Sequence, residues 1–124
     1  MSETEERRAR HRGGLRAETL ATLWLRAKLY TILDRRYRIR GGEIDIVARR
    51  GRTIAFVEVK ARAILEDAMI SITEEKRGRI SRAASKWLAS NPWAVDHVLR
   101  GDAVYVAPRR LPLHVEAAFE LDFG

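Results

Sequence analysis

The chain has no cysteine in its 124 residues. Disulfides and thiolate-held metals are therefore excluded, which fits a reducing compartment. No apolar run approaches the roughly 18 residues that suggest a bilayer-spanning helix. The N-terminus is charged from Glu3 onward and does not read as a secretory signal. A cytoplasmic protein with no membrane partner is expected. Internal repeats are lacking, and nothing marks a second domain. Residues 1–13 have almost no apolar side chain and read as a frayed tail, in which His11 is a solvated side chain. Residues 14–124 then form the single domain.

What is present is a modest core and a strong positive charge. Hydrophobic residues make up 46% of the chain, and the formal net charge is +7. Of 24 cationic side chains only Lys28, Lys60, Lys76 and Lys86 are lysines, which leaves 20 arginines. Arginine forks match phosphate oxygens bidentately. A GC-rich genome produces the same bias. The charge favours a polyanionic partner without identifying it.

The most informative stretch is Gly42–Lys60, GEIDIVARRGRTIAFVEVK. Its period of two predicts a strand over Glu43–Ala48, a turn over Arg49–Arg52 and a second strand over Thr53–Ala61. Alternation puts Glu43, Asp45 and Val47 on one face and Ile44, Ile46 and Ala48 on the other. In the second strand Ile54, Phe56, Glu58 and Lys60 share a face, opposite Ala55, Val57 and Val59. Apolar residues on both faces mark a central, doubly covered strand. Ions in such a strand are costly unless paired or holding a metal. Asp45 on the neighbouring strand can reach the same spot. Two carboxylates and a lysine at strand ends suit metal-assisted phosphodiester hydrolysis. The acids hold a hard cation, Mg²⁺ or Mn²⁺, and the lysine orients water or offsets developing charge. The competing explanation is an ordinary cross-strand ion pair.

Around this hairpin, helical spacing over residues 14–28 aligns Ala17, Leu20, Ala21, Trp24 and Lys28, with Leu25 widening the stripe. Glu18 lies beside the stripe, where it snorkels, caps or leans over the strand ends. Residues 31–40 read as an edge strand with one basic face, and Gly41-Gly42 as its turn. Residues 62–72 show no clean period and read as a loop. A helix starts near Thr73, an N-cap followed by Glu74 and Glu75, and ends at Asn91-Pro92. Its stripe is Ile80, Ala83, Ala84, Trp87 and Leu88. Arg79, Arg82 and Lys86 form a second, basic ridge at i, i+3, i+7, with Lys76 near it. No acidic residue interrupts Lys76 to Lys86, unlike a mixed-sign solubilising face. Residues 103–107 read as a short strand, 108–112 as a turn, and 114–121 as either strand or short helix. The order predicts an α/β domain with a central mixed sheet.

Gly14–Glu18, GEID at Gly42–Asp45, VEVKAR at Val57–Arg62 and Lys76 opening a helix resemble the YraN-like uncharacterised protein family. The stretches LRGDAVYVA around Asp102 and His114 before Ala118-Phe119 are similar to its C-terminal segment. That family resembles the archaeal Holliday-junction resolvases and the PD-(D/E)XK nucleases of restriction-endonuclease-like fold. The resemblance spans about Gly14 to Phe119. It implies Asp45 and Glu58 as metal ligands, Lys60 as catalytic lysine and Glu18 as the first-helix glutamate of the site. Arg62, Lys76, Arg79, Arg82 and Lys86 would contact nucleic acid. Two departures stand out: Ala17 where the family often has Gly, and Ala61 where Thr often follows the lysine.

Three functions compete. The first is a Mg²⁺-dependent, structure-selective DNA endonuclease, for which two sites paired in a homodimer would suit a branched substrate by analogy. The second is a non-catalytic nucleic-acid-binding protein that keeps the fold. The third is a scaffold with a structural Glu58–Lys60 pair. Clustered carboxylates favour the first, because they repel phosphate unless a cation intervenes.

Overall fold

The computed structural model describes residues 16–64, 66 and 72–123. A helix, α1 (residues 16–27), leads into three strands: β1 (Thr31–Ile39), β2 (Gly42–Arg50) and β3 (Thr53–Ala61). Helix α2 (Glu74–Ser90) follows, then a single 3-10 turn (Pro92–Ala94) and strands β4 (Val98–Val106) and β5 (Leu113–Phe119). The expected tail over residues 1–13 and most of the expected loop over 62–72 lie outside the described residues.

The five strands lie side by side in sequence order. All neighbours are antiparallel except β3 and β4, which run parallel in register from Thr53↔Val98 to Ala61↔Val106. A parallel pair needs a long crossover, and α2 lies in that connection. The sheet is therefore mixed, with β3 in its centre. Residues Ile54 to Glu58 of β3 are all buried.

Among the described residues, one long helix packs on each face. Ala17, Ala21 and Leu25 of α1 pack against Ile46, Ala48, Ala55, Val57 and Val104. Ile80, Ala83, Ala84 and Trp87 of α2 pack against Val47, Ile54 and Phe56. The α2 boundaries follow local chemistry. The Thr73 hydroxyl accepts from the Lys76 amide, and the Asn91 amide closes the last turn on Leu88.

Three expectations change. The buried line of α1 is Ala17, Glu18, Ala21, Thr22 and Leu25, while Leu20 is 48% exposed. The line follows the i, i+4, i+8 positions, where two alanines allow close approach to the sheet. Strand β4 begins at Val98, five residues before the expected start. Arg100 and Gly101 interrupt its apolar pattern, and pairing with β3 supplies the missing extent. Residues 113–119 resolve as an edge strand, β5.

Gly42 is where α2 and the sheet meet most closely. A Cβ there would collide with the Arg79 carbonyl oxygen and lie 3.1 Å from the Ala83 nitrogen. Both are helix backbone and cannot swing away. Gly42→Ala should therefore destabilise the domain by about 1–3 kcal/mol or more. A fall of about 5–15 °C in melting temperature is expected, and an unchanged Tm would show that α2 can shift outward freely.

Candidate active site

The site begins with a break in strand alternation. Residues two apart on a regular strand share a face. In β2 they do not: Ile44 packs on the α2 side with Val47, whereas Ile46 and Ala48 pack on the α1 side. The expected two-face assignment of β2 is thus corrected at Asp45, where the strand switches. The β1 residue between the pairs Arg35↔Ile46 and Tyr37↔Ile44 is Arg36, with φ of 50°. Left-handed backbone is uncommon for a non-glycine residue, and here it marks the switch on the partner strand.

Freed from strict alternation, the Asp45 carboxylate turns toward β3. Its Oδ2 accepts from the Val59 amide at 2.8 Å. The registered pairs of β2 with β3 run only from Ile46↔Val57 to Arg50↔Thr53. A side chain therefore takes over as acceptor where the backbone ladder stops. This brings Asp45 near enough to Glu58 for each carboxyl group's charge to act on the other's ionisation.

Glu58 is 3% exposed. Its Oε1 lies 3.3 Å from the Lys76 ammonium. Its Oε2 is buried with no hydrogen-bond partner. Lys76 also lies 3.9 Å from Glu43 Oε1, and Glu43 Oε2 lies 3.5 Å from Arg38. Burial pushes the Glu58 carboxyl up to about 7; the adjacent Asp45 charge pushes the same way, and Lys76 and Lys60 oppose it. Burial also raises Asp45, partly offset by the Val59 amide. Two acids that resist joint ionisation are the electrostatic signature of a shared proton or a shared cation.

Lys60 is half-buried and acts on Glu58 through its charge. The cation in direct contact with Glu58 is Lys76, drawn inward from α2. Sequence spacing did not single out that role, although Lys76 opens the helix just beyond its Thr73 cap. Arg79 and Lys86 lie on α2, half-buried and exposed, and Arg82 Nε donates to the Gly41 carbonyl at 2.9 Å. Glu18 is 5% exposed, more enclosed than a residue beside the stripe was expected to be. Arg35 Nε and Arg36 Nε grip it at 3.0 and 3.5 Å. The left-handed Arg36 lets two consecutive side chains reach the same acid. Glu18, Glu43 and Asp45 all line one cavity on the α1 side, of about 1000 Å³.

Asp45 and Glu58 fit a hard divalent ion. Both supply oxygen, and one oxygen of Glu58 is buried and unsatisfied. No group of three or more His, Cys, Asp or Glu that could hold a metal occurs among the described residues. The fit is therefore to an ion held by two carboxylates that keeps several waters, as Mg²⁺ does.

A second polar cluster lies under the end of α1. Asp102 is fully buried. Arg100 holds both its oxygens, at 2.8 and 2.9 Å, His114 Nε2 lies 2.8 Å from Oδ2, and the Ala117 amide donates to Oδ1 at 3.0 Å. Arg100 also donates to the Tyr30 hydroxyl, and Lys28 Nζ meets His114 Nδ1. Every Asp102 oxygen is satisfied, so this cluster reads as a clamp joining α1, β4 and β5. The stretch LRGDAVYVA, which holds Arg100 and Asp102, and His114 before Ala118-Phe119 pointed to family likeness; Tyr30 and Lys28 carried no signal of it.

The two clusters should bound stability from opposite sides. Glu58 binds its proton more tightly folded than unfolded, so its contribution is full below pH 4.5 and lost as pH rises through about 7. Glu58→Gln should flatten the fall in Tm between pH 5 and 8, measured without divalent ions. An unchanged slope would show that the pair ionises freely. Burial raises the Asp102 carboxyl, but hydrogen bonds from His114, Arg100 and Ala117 win and lower it below 3.8. Its contribution is present above that value and lost on acidification. Asp102→Asn should lower Tm at neutral pH and weaken the acid limb of the profile; equal sensitivity of variant and parent below pH 4 would assign that limb elsewhere.

Residues 17–106 match the model of the Uncharacterised protein family UPF0102. A UPF0102 protein of Methylocella silvestris is 61% identical over 124 residues, the whole of both chains. One of Methylorubrum populi is 60% identical over 93% of this chain and 92% of its own. Another, of Bradyrhizobium diazoefficiens, is 54% identical over 93% and 86%. The matched region contains both carboxylates, Lys60, Lys76 and Asp102, and the chain belongs to the UPF0102 family.

Proposed function

We propose that this protein is a Mg²⁺- or Mn²⁺-dependent endonuclease that hydrolyses DNA phosphodiesters, with the PD-(D/E)XK site on a restriction-endonuclease-like fold. The observation that carries this reading is the buried, unpartnered Oε2 of Glu58 beside Asp45. A purely structural acid in the sheet centre would be fully satisfied, as Asp102 is.

When bound, the ion supplies Lewis acidity and lowers the pKa of water. Asp45 and Glu58 bind it through oxygen. Lys60 would orient water or offset charge on the phosphate, a role supported by the action of its charge on Glu58. Lys76 holds Glu58 in place and would yield its contact as the ion enters. Glu18, fixed by Arg35 and Arg36, shapes the wall of the cavity rather than meeting the acid pair. Arg62, Arg79, Arg82 and Lys86 offset repulsion between the carboxylates and DNA. Two copies in a homodimer would present two sites to a branched substrate.

A second reading, a nucleic-acid-binding protein without catalysis, is favoured by Lys76. Its ammonium already neutralises Glu58, which a bound ion would otherwise do.

Incubation with branched, single-stranded and duplex DNA, with Mg²⁺, Mn²⁺ or EDTA, separates the two. Cleavage should need the divalent ion. Lys60→Ala should abolish cleavage and leave DNA binding nearly intact. Glu58→Ala or Asp45→Asn should remove Mg²⁺ binding in calorimetry. Parent-like Mg²⁺ affinity in both variants, or binding without cleavage of any substrate, would support the second reading.

A further inference from the structure

The cavity beside Asp45 has a composition that the acid pair does not explain. Among the described residues it is lined by six arginines: Arg16, Arg36, Arg38, Arg62, Arg109 and Arg110. All six are exposed at residue level. Arg36 and Arg38 answer Glu18 and Glu43, each at 3.5 Å. Arg16, Arg62, Arg109 and Arg110 form no ion pair among the described residues. Glu18, Glu43 and Asp45 line the same cavity, so six arginines face three carboxylates. Arg62 also donates to the Ala61 carbonyl, and the surplus of positive charge favours an anion between the arginines.

Between the arginines the surface is apolar, formed by Ala17, Leu20, Ala61, Val106 and Pro108. Leu20, half-exposed on α1, belongs to this surface rather than to the core. Arg109 adds a further sign of constraint. Its φ is 63°, left-handed, in the turn between β4 and β5.

The size of the cavity selects among polyanions. The open-sided cavity encloses about 1000 Å³, less than a DNA duplex needs, whose major groove alone is about 12 Å wide. A whole duplex cannot enter. A single strand can, with phosphates on the arginines, as in the positively charged grooves of single-strand binders, and bases against the aliphatic surface rather than stacked on aromatic rings.

We propose that this arginine-lined cavity on the α1 face holds a single-stranded segment of nucleic acid and delivers it to Asp45. The proposal rests on the nuclease reading for the purpose of delivery, but binding itself does not. On a branched substrate the unpaired strand enters here, while the α2 ridge, on the other face of the sheet, meets the paired arm.

The test is fluorescence anisotropy of the full chain in EDTA, with a labelled oligothymidylate and a blunt duplex of equal length, across a salt series. The parent should bind the single strand more tightly than the duplex. The triple variant Arg62→Ala, Arg109→Gly, Arg110→Ala should lose at least about tenfold in single-strand affinity. Its log–log salt slope should fall by about 2, at about 0.7 per contact on single strands. Arg109→Gly alone keeps the left-handed backbone comfortable and should still lower the slope by about 0.7, so a folding defect in the triple variant does not decide the result. Unchanged affinity and slope in both variants would overturn the proposal. So would duplex binding as tight as single-strand binding, or equal competition by polyglutamate. Asp45→Asn should lose Mg²⁺ and, with one phosphate-repelling charge removed from the cavity wall, bind the oligonucleotide at least as tightly as the parent. If it instead keeps Mg²⁺ and the arginine variants lose the strand, the cavity assignment stands and the nuclease reading fails.

Discussion

Two carboxylates sit where the sheet should be driest. Asp45 and Glu58 belong to neighbouring central strands, and each would be ruinous to bury alone as a charge. The surrounding structure answers them one contact at a time. The backbone ladder between β2 and β3 ends early, so the Val59 amide is given to Asp45. The α2 helix begins at a capped Thr73 that sets Lys76 over Glu58. Close seating of α2 on Gly42 keeps that lysine near the acids. What remains unanswered is one oxygen, Glu58 Oε2. That one oxygen is what supports the proposed cation.

The two faces of the sheet divide the remaining work. On the α2 face, aromatic and aliphatic packing around Phe56 and Trp87 supplies rigidity; their rings meet edge to face with centroids 5.8 Å apart. On the α1 face the core is made of smaller residues, and polar groups are buried at both ends of the helix. At one end Arg35 and Arg36 close on Glu18. At the other, Arg100, His114 and Asp102 join with Tyr30 and Lys28. The charge-assisted bonds of the second cluster are short and saturated, which makes it a support. The arginines beyond Glu18 open onto a cavity instead, which makes that end the accessible one.

The hairpin, its central strand and the α2 boundaries were legible in residues 42–61 and 73–92 because they rest on local rules. Period-two alternation, a glycine-containing turn, an N-cap threonine and an Asn-Pro stop all act within a few positions of the chain. The chemistry-bearing types Asp45, Glu58 and Lys60 were legible for the same reason: charge in a doubly apolar strand is anomalous without any knowledge of its neighbours. Tertiary structure decided the rest. The face switch at Asp45 depends on Arg36 in a strand that alternation alone reads as regular. The full length of β4 depends on pairing with β3, since Arg100 and Gly101 hide it locally. Apart from Arg100 beside Asp102, the inward turn of Lys76, the grip on Glu18 and the closure around Asp102 join residues 12 to 86 positions apart. Whether a charged side chain faces solvent or an opposite charge is set by desolvation and pairing across such distances, and no property of the local sequence carries that information.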